Sequence, residues 1–105
     1  MTETELLTAI TSGTRARPGL CKVLGIRYFH PHDARRSVPG WPDLALLGRR
    51  GLAFRELKSA TGIITPQQRE WGYAFRTAGF DWDVWRPCDL ASGRITTELR
   101  ALMTG

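Results

Sequence analysis

The feature that most narrows the fold is a pair of apolar runs, residues 43–47 and 52–57, on either side of Gly48-Arg49-Arg50-Gly51. Glycines flanking a short bend supply positive φ where it is needed, so the segment reads as a β-hairpin. If the bend is centred between Arg49 and Arg50, facing residues have numbers adding to 99, and Asp43 stands opposite Glu56. Directly opposed residues project from one face with Cβ atoms about 4.5–5.5 Å apart. Lys58, two residues beyond Glu56, shares that face. Ala45, Leu47, Leu52 and Phe54 occupy it nearer the bend, giving a face that is apolar at one end and charged at the other.

Two carboxylates at this separation repel one another unless something positive lies between them. Lys58 alone would make the trio an internal ion pair. A hard divalent cation would make it a metal site, since Mg²⁺ takes oxygen ligands and keeps waters on its open side. Charged groups at the end of a buried hairpin are costly to carry for packing reasons. Spacing leaves both readings open.

The rest of the chain supplies elements to cover the hairpin. Residues 3–11 read as a short helix with Leu6, Leu7 and Ile10 on one face, stopped near Ser12-Gly13. Residues 14–18 are ambiguous, 20–24 resume a helix, 26–29 form a brief strand, and 31–40 are a loop. Thr65-Pro66-Gln67-Gln68 is a helix start with Thr as N-cap, Pro in the first turn and Gln at the third position. That helix runs to Ala78, before Gly79, with Gln68, Trp71, Phe75 and Ala78 as its inward stripe. Residues 80–86 alternate like a strand closed by Pro87, and 96–103 form a last short helix. The order implies an α/β or α+β architecture around a small mixed central sheet flanked by helices.

At 105 residues and 42% apolar composition, the chain is expected to be one domain and not a disordered one. The acidic N-terminus and the lack of a membrane-length apolar run lead to an expectation of a cytoplasmic protein with no membrane association. Cys21 and Cys88 lie far apart without a CxxC spacing and read as free buried thiols rather than a disulfide framework or zinc knuckle. Residues 15–58 hold ten basic and three acidic side chains, a local excess of +7 within a net charge of +5. Thirteen of the fifteen basic residues are Arg, whose planar fork suits phosphate oxygens. A polyanion-binding face and an ordinary solvated surface both fit that composition. Trp41, Trp71, Trp82 and Trp85 read as core and interface aromatics.

Gly40-Trp41-Pro42-Asp43-Leu44 followed by Glu56-Leu57-Lys58 resembles the PD…ExK signature of the PD-(D/E)XK nuclease superfamily, which has a restriction-endonuclease-like core. With Gly62, Thr65-Pro66-Gln67-Gln68, Trp71, Gly79 and Val84-Trp85-Arg86-Pro87, the ordered set is similar to the VRR-NUC group of small virus-type replication-repair nucleases found alone in bacteria and phages. The likeness extends over most of the chain, from about Glu3 to Leu90, as a single VRR-NUC-type domain. It implies a Mg²⁺- or Mn²⁺-dependent endodeoxyribonuclease. Asp43, Glu56 and the backbone carbonyl of Leu57 would hold the cation, and Lys58 would activate water or stabilise charge on the phosphate.

The resemblance further implies a carboxylate on the first helix. Glu3 is taken over Glu5 because it projects near the Leu6/Ile10 stripe. It also implies a helix glutamine beside the site, Gln68, which the sequence equally allows as half of a capping box with Thr65. DNA contacts are expected from His30, Arg35, Arg36, Ser37, Arg49 and Arg50, the arginines flanking the site. Stand-alone members resemble Holliday-junction resolvases, which implies branched DNA as substrate and a homodimer, since paired incisions need two sites. The alternatives are a nuclease of other structures (flap, nicking or single-stranded) and a non-catalytic DNA-binding protein of the same fold.

Overall fold

The computed structural model describes residues 1–31 and 38–104, so the expected DNA contacts Arg35, Arg36 and Ser37 lie outside the described residues. The hairpin forms at the expected bend, but neither Gly48 nor Gly51 takes a positive φ; Gly48 is needed for room, since a Cβ there would fall 2.4 Å from the Leu102 backbone. Strands β2 (Leu44–Gly48) and β3 (Gly51–Leu57) pair antiparallel, with Leu44 opposite Arg55, Leu46 opposite Ala53 and Gly48 opposite Gly51. Every one of these pairs keeps the expected register. Asp43 stands one residue ahead of β2, so the strand starts one position later than its apolar run.

The short strand β1 (Arg27–Phe29) pairs antiparallel with β2, and β4 (Asp81–Trp85) pairs parallel with β3. The described residues thus form a mixed sheet in the order β1-β2-β3-β4. A parallel pair needs a long crossover. Helix α3 (Pro66–Thr77) supplies it between β3 and β4.

Helices α1 (Glu3–Ile10), α2 (Leu20–Leu24) and α5 (Arg94–Thr104) surround the opposite layer. Thr2 and Glu5 begin α1 with a reciprocal capping box, as Thr65 and Gln68 begin α3. One element is new: α4 (Pro87–Ala91) follows β4 at once. Pro87 does end the strand, but its fixed φ also suits the first turn of a helix.

Side-chain alternation divides the hairpin between two layers. Leu44, Leu46, Ala53 and Leu57 join Trp85 against Leu6 and Ile10 of α1 and Ile95, Leu99 and Leu102 of α5. This is the main core. The other face meets α3, where Phe54 stacks on Phe75 with ring centroids 4.3 Å apart. Buried Gly72 lies against Trp82 there; a Cβ at that position would fall 2.6 Å from the indole ring. A residue larger than Gly has no room, which accounts for a poor helix former in mid-helix.

Four expectations are corrected. Leu47 and Leu52, read as the apolar end of a buried face, are 49% and 38% exposed, because the helix on that side packs on β4 and leaves the bend end open. Ala78, assigned to the inward stripe of α3, is exposed at the helix C-cap. Of the two cysteines, Cys21 is buried but Cys88 is exposed on α4.

Finally, Arg55, counted with the basic surface, is 3% exposed and belongs to the core layer. Its guanidinium reaches Asp81 and Glu98, both at 2.9 Å, and lies over the Trp85 ring. Glu98 also accepts from Trp85 Nε1 at 2.9 Å and Arg94 Nε at 2.6 Å. Among the described residues, no helix is long and apolar enough to cross a membrane.

Candidate active site

The strand ladder carries Asp43 and Glu56 to the same face at the open end of the hairpin, away from the bend. They line a cleft of about 180 Å³ together with Gly40, Trp41, Pro42 and Gln68. A larger concavity of about 980 Å³ lies elsewhere, along α1, α2 and α4, and contains neither carboxylate. The chemistry is concentrated in the smaller one.

Local sequence explains how the cleft wall is built. Gly40 has φ of +85°, and a Cβ there would fall 2.4 Å from the Gln67 backbone. This close approach requires glycine. It lays residues 39–42 along the start of α3, where Trp71 Nε1 donates to the Pro39 carbonyl at 3.1 Å. Trp41 then packs edge-on to Trp71 and Phe75. Pro42 is buried, and the chain enters β2 with Asp43 at the mouth.

Each acid is held by specific partners. The Leu57 N–H donates to Asp43 Oδ2 at 2.8 Å. His30 Nδ1 lies 2.8 Å from the Asp43 carbonyl oxygen and donates to it in the matching tautomer. Glu56 is 2% exposed, and its Oε1 accepts from Gln68 Nε2 at 3.1 Å. The same carboxamide accepts the Thr65 N–H through Oε1 at 2.9 Å. Gln68 is therefore both cap and cleft residue. Because Thr65 engages its oxygen, the amide nitrogen faces Glu56.

Among the described residues, no donor reaches the other Glu56 oxygen, Oε2, which is buried. Burial is the largest cause pushing the Glu56 carboxyl well above the ordinary range. The proton it can share with Asp43 and the repulsion of the Asp43 charge add to this, Lys58 partly offsets it, and Glu3 adds further repulsion. The arrangement holds two acceptors against each other with one buried oxygen unmet. A shared proton would satisfy it, and so would a hard cation with oxygen ligands. The donor set of Asp43, Glu56 and the Leu57 carbonyl fits such an ion in type.

Lys58 follows Glu56 by two, and its N–H continues the parallel ladder by donating to the Trp85 carbonyl at 3.1 Å. Glu3 is exposed on α1. Its charge is felt at Glu56, yet no group of three or more His, Cys, Asp or Glu suited to a metal assembles among the described residues. Glu5 is committed elsewhere: it accepts the Thr2 N–H at 2.9 Å, and that bond and the Thr2 hydroxyl lower its pKa.

Two further assignments change. Arg49 and Arg50 do not flank the cleft: they form the bend, roughly 20 Å from Asp43 at the rise of a β-strand. There the Arg50 N–H donates to the Leu102 carbonyl at 2.7 Å, against the end of α5. His30, an expected DNA contact, also lies at the Asp43 backbone. It follows directly on β1, and the pairing of β1 with β2 brings it alongside Asp43.

No family model and no curated protein matches the sequence. Among solved structures, a VRR_NUC domain protein superposes with a TM-score of 0.68 at 24% identity, covering 98% of this chain and 91% of that one. Together with the mixed four-stranded sheet and its flanking helices, this similarity shows that the chain has a VRR-NUC-like fold.

Proposed function

We propose that the chain is a divalent-cation-dependent endodeoxyribonuclease acting on branched DNA. The observation that carries the reading is the Asp43/Glu56 pair, faced across the hairpin with a buried, unmet Glu56 oxygen and with Lys58 two residues on. Mg²⁺ or Mn²⁺ held by Asp43, Glu56 and the Leu57 carbonyl would lower the pKa of a bound water and neutralise charge developing on a phosphate.

The chain's own residues set the stage for that chemistry. The Leu57 N–H fixes one Asp43 oxygen, which directs the other to the cleft. Gln68 fixes Glu56 Oε1 in the same way and leaves Oε2 for the ion. Lys58 orients the attacking water or meets charge on the phosphoryl oxygens. Exposed arginines, including Arg15, Arg17, Arg27, Arg49 and Arg50, supply phosphate contacts away from the cleft. One chain carries one such set, so paired cuts across a junction require a homodimer.

The test is cleavage of end-labelled four-way junction, flap and linear duplex side by side, with Mg²⁺, Mn²⁺ or EDTA. Junction cleavage that needs the cation is expected. Asp43→Asn and Lys58→Ala should abolish it while leaving the fold and most junction binding intact. Junction DNA that is bound but uncut with either metal would instead identify a non-catalytic binding protein.

A further inference from the structure

Arg86 stands just after β4 and outside the cleft, and nothing in the proposed chemistry uses it. Its side chain nevertheless reaches back across the sheet to the turn that follows Lys58. Nη1 donates to the Ser59 carbonyl at 2.7 Å and to the Gly62 carbonyl at 2.8 Å. Those two residues close the turn on each other, with the Gly62 N–H donating to Ser59 Oγ at 3.0 Å. The turn also wraps the lysine stem: a Cβ on Gly62 would fall 3.3 Å from Lys58 Cδ. The Lys58 backbone is bonded to Trp85, the residue immediately before Arg86.

We propose that Arg86 is a positioning residue for Lys58. A lysine on a flexible four-carbon stem is poorly placed by default. Here its backbone is tied to the end of β4, and its stem lies against a turn whose two carbonyls are pinned by one guanidinium. Charge-assisted bonds to both acceptors hold the turn closed, and the closed turn limits where the ammonium travels. This role rests on the nuclease reading, in which Lys58 acts on the reacting groups.

The experiment separates the two. The chain has two lysines, Lys22 and Lys58, so lysine labelled with ¹³C at Cε gives one reporter at the turn and one exposed control on α2. In the wild-type protein the Lys58 methylene should be ordered and distinct from Lys22. In Arg86→Met it should become mobile and Lys22-like, and exchange of the Gly62 amide should quicken while that of Leu57 holds. In single-turnover cleavage of junction DNA, Arg86→Met should slow the chemical step about a hundredfold, the scale of a small misplacement of a reacting group. Junction affinity should stay level, and Arg86→Lys should restore most of the rate.

Arg86→Met combined with Lys58→Ala should show the single-turnover rate of Lys58→Ala alone, not a further hundredfold loss, because the two residues act as one unit. If Arg86→Met does not fold, Arg86→Gln carries the same comparisons. An unchanged Lys58 signal, or an unchanged single-turnover rate in an active enzyme, overturns the proposal. A wild-type protein that cuts nothing overturns the nuclease reading, and the labelled lysine still decides whether Arg86 orders Lys58.

Discussion

Replacing Glu56 by Gln tests the central feature of the cleft without needing a substrate. In the metal-free protein the Glu56 carboxyl, 2% exposed and beside Asp43, keeps its proton far above the usual value of 4.5. In the unfolded chain it ionises near that ordinary value. The folded state therefore holds a proton that the unfolded state gives up, and stability must fall as pH rises above about 4.5. At pH 7 the cost of keeping that proton is about 3 kcal/mol. Glutamine avoids it. Its amide oxygen accepts from Gln68 where Oε1 did, and its nitrogen donates towards Asp43 with no proton to be taken up from solution.

In EDTA, Glu56→Gln should be about 1 kcal/mol less stable than the wild-type protein near pH 4.5, through burial of the new amide, and should exceed it by about 2 kcal/mol at pH 7. For a domain of this size that is a rise in melting temperature of roughly 10 °C. Mg²⁺ should reverse the order. It would stabilise the wild-type protein by about 3 kcal/mol at a hundred times its dissociation constant, and leave the variant unmoved. Urea unfolding from pH 4.5 to 8, with and without Mg²⁺, measures all of this. A variant less stable than wild type at pH 8, or an advantage that ignores pH, would refute the reasoning.

The acid limb should be governed by Glu98. Burial opposes its charge, but bonds from Trp85, Arg94 and Arg55 prevail and hold its pKa below the usual range. That contribution is complete above about 4.5 and is lost as pH falls through the lowered value. Glu98→Gln should cost about 2–3 kcal/mol at pH 7, with the difference from wild type shrinking in urea titrations below pH 4. Gly72→Ala should destabilise by about 1–3 kcal/mol, because overpacking against Trp82 outweighs the gain in helix propensity; a higher melting temperature would show that the contact relaxes freely. Junction binding should weaken steeply with salt through counterion release, and a flat salt dependence would speak against phosphate contacts.

What the sequence made legible was whatever is set by near neighbours. The bend at residues 48–51 fixes the register, and the register brings Asp43 opposite Glu56. Thr65, Pro66 and Gln68 mark the start of α3 by cap chemistry alone. Less legible was anything decided by what packs on top. Alternation says that Leu47 and Leu52 share a face, but only the placement of α3 determines that this end stays open. The sequence also offered Gln68 as cap or site residue, when an amide with separate donor and acceptor ends serves both.

The least legible residue explains why Glu56 has no fixed positive partner in its own layer. Arg55 and Glu56 are consecutive on β3, so the pleat sends them to opposite faces. Both are nearly fully buried, at 3% and 2% exposure. An arginine one residue away would be the obvious partner for the acid, yet the strand backbone lies between their side chains. Each has to be satisfied in its own layer. Arg55 finds two carboxylates, Asp81 and Glu98, the second also held by bonds from Trp85 and Arg94. Glu56 finds a neutral amide, a second acid, and Lys58 on a stem that continues past the strand. The charge missing from the Glu56 side is therefore built into the alternation of the strand. A small, hard and exchangeable cation would supply it.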